Sequence, residues 1–148
     1  LRVLVAANSI RMKKVLVLCT GNSCRSQMAE GYLRQFSGEK AEVYSAGVET
    51  HGLNPKAVYF MKEDGIDISS HNSTLVDEYA GINFDFIITV CDSAKERCPV
   101  FPSHAKKFHH DFPDPSKVSG TDEEIAAAFR HTRELIKVYC AEFVRNNL

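Results

Sequence analysis

The chain has 148 residues, enough for one domain with a substantial core, since proteins of this length bury roughly 68–70% of the surface their unfolded chains expose. Hydrophobic residues make up 44% and charged residues 25%, an ordinary globular balance, and a formal net charge of −1 offers no broad attraction for nucleic acid or an anionic membrane. No apolar run approaches the roughly 18 residues of a membrane span.

Met12, followed by two lysines, reads as a natural start. Residues 1–11 are therefore read as a non-native leader, with an extra strand as the alternative, and 12–148 as a single domain. Val15-Leu16-Val17-Leu18 is a short apolar run of the kind that forms a buried strand. The small-residue loop Cys19-Thr-Gly-Asn-Ser-Cys-Arg-Ser26 follows it. A helix is predicted over about 24–37, burying Met28, Ala29, Tyr32, Leu33 and Phe36 and stopping at Gly38.

A thiol at the C-terminal end of a strand, with a loop entering a helix, stands where open α/β sheets bind ligands. Unpaired N–H groups and the helix dipole favour an anion there, and Arg25 adds a planar fork of donors. The same field is expected to lower the Cys19 pKa from about 8.5 toward the roughly 3.5–7.5 range of thiols at helix N-termini. Thr20, Gly21, Asn22, Ser23, Cys24, Arg25 and Ser26 are the candidate anion-binding residues. The plain alternative is a buried cysteine and a surface arginine joined by an ordinary turn.

Further along, Glu42–Gly47 reads as a second strand. Asn54-Pro55 gives an N-cap and a first-turn proline for a helix to about Asp64. A shorter helix is expected over Ser73–Tyr79. Phe84–Val90 reads as a central strand buried on both faces, with Cys91 at its end, followed by a polar segment, 92–105, that carries Cys98. A fourth strand is expected near Lys106–His110. Thr121 with Glu124 forms a capping box that opens the last helix. Alternating strands and helices imply a three-layer α/β/α sandwich on a four-stranded parallel sheet.

Five cysteines, Cys19, Cys24, Cys91, Cys98 and Cys140, leave one unpaired in any full disulfide set. No secretory signal is apparent and the site depends on a reduced thiol, so a reducing cytoplasm is expected. Three thiols at 19, 91 and 98 allow an oxidised bond to pass by successive attacks. The bland reading makes Cys91 core and Cys98 a chance surface thiol. A zinc site of Cys91, Cys98, His109 and His110 has six residues between its cysteines, outside the usual two to four. Cys24 and Cys140 read as packing. Asp114, held between Pro113 and Pro115, is the candidate general acid, with Asp111 as the fallback.

These residues carry a likeness. From Met12 onward the chain resembles thioredoxin-coupled arsenate reductases, which share the low-molecular-weight protein tyrosine phosphatase fold. The matching stretches are Cys19–Gly31, Tyr44–Gly52, Asn54–Ala57, Asp67–Ser69, Cys91 with Cys98-Pro99, and Asp114-Pro115. The resemblance implies that Cys19 attacks arsenate held by the loop and Arg25 while Asp114 protonates the leaving oxygen. Cys91 then attacks Cys19 to release arsenite, and Cys98 attacks Cys91, leaving an exposed disulfide for thioredoxin. Asn22 would shape the loop and Ser26 would bond the Cys19 sulfur.

Some relatives bind potassium through positions matching Asn22, Glu30 and Ser45 plus an aspartate. Thr74 stands at the aspartate position here, so no tightly bound cofactor is expected. Pro113 replaces a second aspartate of many relatives, and Ser116 stands where phosphatases of this fold commonly have tyrosine. The expected partners are an arsenate, phosphate or sulfate oxyanion and thioredoxin, acting on a monomer with weak phosphatase activity. The alternative is a phosphatase that hydrolyses phosphate monoesters through a Cys19 phospho-enzyme.

Overall fold

The computed structural model describes residues 11–92, 96 and 100–148. Strand β1 (Lys13–Cys19) lies between β2 (Ala41–Gly47) and β3 (Phe86–Thr89), and β4 (Lys106–His109) pairs with β3. All pairings are parallel and the order is β2-β1-β3-β4. Parallel neighbours need crossovers. Helices α1 (Arg25–Ser37), α2 (Pro55–Glu63) and α3 (Asp122–Asn147) accompany the sheet.

The period-two alternation of β1 sends its side chains into two separate apolar layers. Val15, Val17 and Cys19 share one with Met28, Tyr32 and Leu33 of α1, Met61 of α2, and Ile136 and Cys140 of α3. Leu16 and Leu18 face the other, with Ala46, Phe84 and Ile87. That second layer is roofed by Tyr44, Phe101 and a one-turn helix, Val76–Tyr79. The helix ends follow local chemistry. Asn54 Oδ1 accepts from Lys56 and Ala57 amides at 2.8 and 3.2 Å, and Thr121 and Glu124 close the capping box of α3. Gly38, at φ 54°, lets the chain leave α1 in a conformation that disfavours side chains.

Two elements are shorter than their apolar runs. Phe84 and Val90 are buried but lie outside β3, and Asp85, just before the strand, clamps the start of β1. Its amide donates to Lys14 O and its Oδ2 accepts from Lys14 N, both at 2.8 Å. The helix expected over Ser73–Tyr79 shrinks to Val76–Tyr79. Its first residues are taken by the sheet edge: Gly47 N donates to Thr74 O, and Gly47 bridges to Leu75. Among the described residues, no helix is long and apolar enough to cross a membrane.

Candidate active site

The segment from Thr20 to Cys24 joins the C-terminal end of β1 to α1, and each of its carbonyls is taken by a donor outside the loop. Glu49 N donates to Thr20 O at 3.0 Å, His51 N to Gly21 O at 3.1 Å and Asn54 N to Ser23 O at 3.0 Å. Gln27 Nε2 donates to Asn22 O at 3.0 Å, and Met28 N to Cys24 O at 2.9 Å. Peptide planes held this way aim their N–H groups to the opposite side. Among the described residues, the amides of Gly21, Asn22, Ser23 and Cys24 have no backbone acceptor. The N-terminus of α1 carries no side-chain cap and no acid in its first turn. A concave set of unpaired donors at a helix N-terminus is an anion receptor.

Asn22 makes the turn possible. Its φ is 47°, a region asparagine tolerates better than most residues. Its buried side chain donates to Ser26 Oγ and Ser45 Oγ, both at 2.9 Å, and accepts from Thr74 N at 2.7 Å. Gly47 is required beside it. A Cβ there would sit 2.6 Å from Thr20 O and 2.8 Å from Asn22 N.

Arg25 projects from the first turn of α1 and is buried, at 3% exposure. Its Nη1 donates to Phe112 O at 3.1 Å, and its Nη2 stands 3.4 Å from Asp114 Oδ2. Glu96 takes the fork: Nη1 to Oε2 is 2.6 Å and Nη2 to Oε1 is 2.7 Å. Thr20 Oγ1 donates to the same carboxylate at 2.6 Å, and Asp92 N at 3.0 Å. Partial burial opposes ionisation of Glu96, but the bonds from Arg25, Thr20 and Asp92 outweigh it and hold the carboxyl at about 2. Glu96 is the cleft residue that the motif reading missed. Its partner lies 71 positions away, and no spacing rule points to it.

Cys19 lines this cleft of about 640 Å³ together with Thr20, Arg25, Asp92, Glu96 and Asp114. Its thiol is not depressed as expected. Burial pushes it up to about 11; Arg25 and the Thr20 amide pull it down, while Glu96 and Asp114 push it further up. The dipole-based expectation left out both burial and the carboxylate that neutralises Arg25. Ser26 also departs from its expected role, for its hydroxyl accepts from Asn22, and among the described residues no Ser26–Cys19 bond is found.

Asp114 caps a one-turn helix, Pro115–Lys117, with Oδ1 accepting from Ser116 N at 3.0 Å and Ser116 Oγ at 2.6 Å. Its other oxygen is thus left facing Arg25. Asp111 pairs with His109 on β4 and is absent from the cleft lining.

Cys19, Cys24 and Cys140 carry free, buried thiols, whereas Cys91 is disulfide-bonded. Val90 N donates to Leu18 O at 3.0 Å, so the chain reaches Cys91 at the same sheet edge as Cys19. Cys91 is fully buried; Cys98, the other half of the exposed disulfide expected there, lies outside the described residues. Burial alone pushes the Cys140 thiol up, as its packing role predicts. Among the described residues no cluster of histidine, cysteine and acidic side chains has metal-holding geometry.

The positions associated with potassium are already committed to one another. Ser45 Oγ donates to Glu30 Oε1 at 2.6 Å, Arg34 Nε donates to Glu30 Oε2 at 2.8 Å, and Asn22 turns its amide nitrogen toward Ser45. Arg34 supplies the positive charge and the asparagine oxygen is bonded to Thr74.

A buried thiol under an arginine and a ring of main-chain donors, with an aspartate across the cleft, defines a thiol enzyme that acts on oxyanions. Residues 14–148 match the model of the low molecular weight phosphotyrosine protein phosphatase family, and the chain belongs to that family. It is similar to the arsenate reductase of Bacillus subtilis (strain 168), at 49% identity over 131 residues, 88% of this chain and 94% of that protein. The arsenate reductase of Staphylococcus aureus (strain Newman) is 44% identical over 131 residues, 88% and 95% of the two chains. A solved arsenate reductase in the phosphate binding state superimposes with a TM-score of 0.77 at 31% identity, covering 91% of this chain and 98% of that one.

Proposed function

We propose that the protein reduces arsenate to arsenite by a thiol relay through Cys19, Cys91 and Cys98, with thioredoxin as the reductant. The observation that carries this reading is the pairing of two sulfur states at one sheet edge. Cys19 is a free thiol beneath Arg25, while Cys91 is already disulfide-bonded. A free thiol under the arginine and a second, bonded sulfur at the same sheet edge are the parts that such a relay needs.

In the first step Cys19 sulfur attacks arsenic, and the departing oxygen leaves as water with a proton from Asp114. Cys91 thiolate then attacks Cys19 sulfur. The S–As bond breaks with its electron pair going to arsenic, which leaves as arsenite, and a Cys19–Cys91 disulfide forms. Cys98 thiolate attacks Cys91 sulfur and releases Cys19 as a thiolate, giving Cys91–Cys98. Because Cys91 is fully buried, the attack by thioredoxin is directed at Cys98 sulfur. No step runs through a metal. The relay requires a reducing compartment, and one chain supplies every thiol it needs.

The shared anion receptor also supports slow hydrolysis of phosphate esters through a Cys19 phospho-enzyme. Among the described residues, the cleft lining contains no Phe, Tyr or Trp ring to sandwich an aryl phosphate, which favours a small oxyanion over phosphotyrosine. Single turnover with arsenate in the absence of reductant tests the reading. One arsenite per reduced chain and a mapped Cys91–Cys98 disulfide are expected; Cys98→Ser traps Cys19–Cys91. Continued thioredoxin-driven arsenate turnover by Cys91→Ser would overturn it.

A further inference from the structure

We propose that Glu96 is an intramolecular ligand of the oxyanion site, competing with the incoming anion for Arg25 and Thr20 while Cys91 is disulfide-bonded. The proposal rests on the oxyanion-binding part of the reading above and extends it to a residue with no role in the relay. Two oxygens of one carboxylate meet both terminal nitrogens of the guanidinium at 2.6 and 2.7 Å. This parallel pair of charge-assisted bonds is the arrangement by which arginine grips two oxygens of a phosphate or arsenate. The third donor, Thr20 Oγ1 at 2.6 Å, belongs to the anion loop itself. A carboxylate so placed offers the site the charge and two of the oxygens of its substrate.

Ordinary surface pairing does not account for the contact. Exposed ion pairs contribute little, but the Arg25 side chain is 4% and the Glu96 side chain 18% exposed. A guanidinium this buried needs an anionic partner, and the same nitrogens cannot give their fork to Glu96 and to an oxyanion together. Asp114 is no substitute, standing 3.4 Å from a single nitrogen. The ligand is also tethered next to the redox centre. Glu96 N donates to Asp92 O and Asp92 N donates to Glu96 Oε2, both at 3.0 Å, and Asp92 directly follows Cys91. The high Cys19 pKa agrees with a site neutralised from within, since Glu96 is one of the groups that raise it. With its last disulfide still in place, the chain thus fills its own receptor and withholds the nucleophile from a new oxyanion.

Calorimetric titration of the full, disulfide-form chain with inorganic phosphate tests this. Apparent affinity scales with the fraction of chains whose site is open, so Glu96→Gln is expected to bind phosphate about tenfold more tightly than the unsubstituted chain. Glu49→Gln removes the same charge from the same cleft, from a side chain that contacts His51 and not Arg25. It is expected to gain less than about threefold. Equal affinity of Glu96→Gln and the unsubstituted chain overturns the proposal, as does an equal gain in Glu49→Gln, which would make the effect one of field rather than occupancy. A readout on the unsubstituted chain is independent of folding of the variants. Carbon-13 titration should show the Glu96 carboxyl rise from about 2 toward ordinary values on saturation with phosphate, and an unmoved value overturns the proposal. Phosphate is not turned over, so the outcome is separate from the reductase test. Tighter binding without arsenate reduction would sink the relay and keep the internal ligand.

Discussion

Arg25 and Cys19 show how far a residue's neighbours reset its chemistry. A loop amide and a guanidinium both pull the Cys19 thiol down, yet burial and two carboxylates prevail and leave it near 11. Alkylation of Cys19 in the disulfide form should therefore have a pH midpoint near 11. In Glu96→Gln the midpoint should fall by about one unit or more, the usual scale for loss of one nearby charge. A midpoint below 8 in the unsubstituted chain would contradict the burial described here. Identifying Cys19, Arg25 and Asp114 needed only adjacency to a strand end or to prolines. Their charge state was not legible, because it depends on Glu96, whose approach is set by the fold and not by local order.

At the level of elements, the receptor is a loop pinned from outside by the strap 49–54 and by Asn72–Thr74. Gly47→Ala at the end of β2 pushes a methyl group into the backbone of Thr20 and Asn22. It should cost about 1–3 kcal/mol of stability, as overpacking commonly does, and weaken phosphate binding at least tenfold. Unchanged melting and phosphate affinity would show that the close approach is not needed. By contrast, Thr121→Ala should lower stability by about 0.5–2 kcal/mol through loss of the α3 cap, with phosphate affinity intact, as urea titration and calorimetry can separate. The cap was readable because it lies within four residues. The fate of Ser73–Thr74 was not: the chain there gives up helical bonding to hold Asn22 and Gly47, partners about fifty and twenty-seven positions back.

For the molecule as a whole, acid should loosen what the ion pairs hold. Glu96 has its folded pKa depressed from 4.5 to about 2. Asp64 is also depressed, chiefly by the hydrogen bond from Tyr32 and against its own partial burial. Groups depressed on folding contribute stability that is complete above their unfolded values and is lost as pH falls through the folded ones. Urea midpoints should thus hold from pH 7 to about 5 and fall between about 4.5 and 2, less steeply in Glu96→Gln. A flat profile across that window would show that these pairs add nothing to folding. A four-stranded parallel sheet was readable from strands alternating with helices, but its strand order was not. The asymmetry was not, with three helices over one face and aromatic side chains with a single turn over the other, since each face of a buried strand looks alike in sequence.

A receptor built from peptide dipoles and one guanidinium recognises shape and charge, and arsenate and phosphate scarcely differ in either. Outward-locked carbonyls leave little slack for the main chain to adapt to a slightly larger central atom. Under the proposed relay, selection between the two falls after docking, on whether the central atom accepts an electron pair when sulfur leaves it. Arsenic(V) does so readily and phosphorus(V) does not. Under that relay, the commoner ion is expected to act as a reversible decoy that slows turnover without poisoning it.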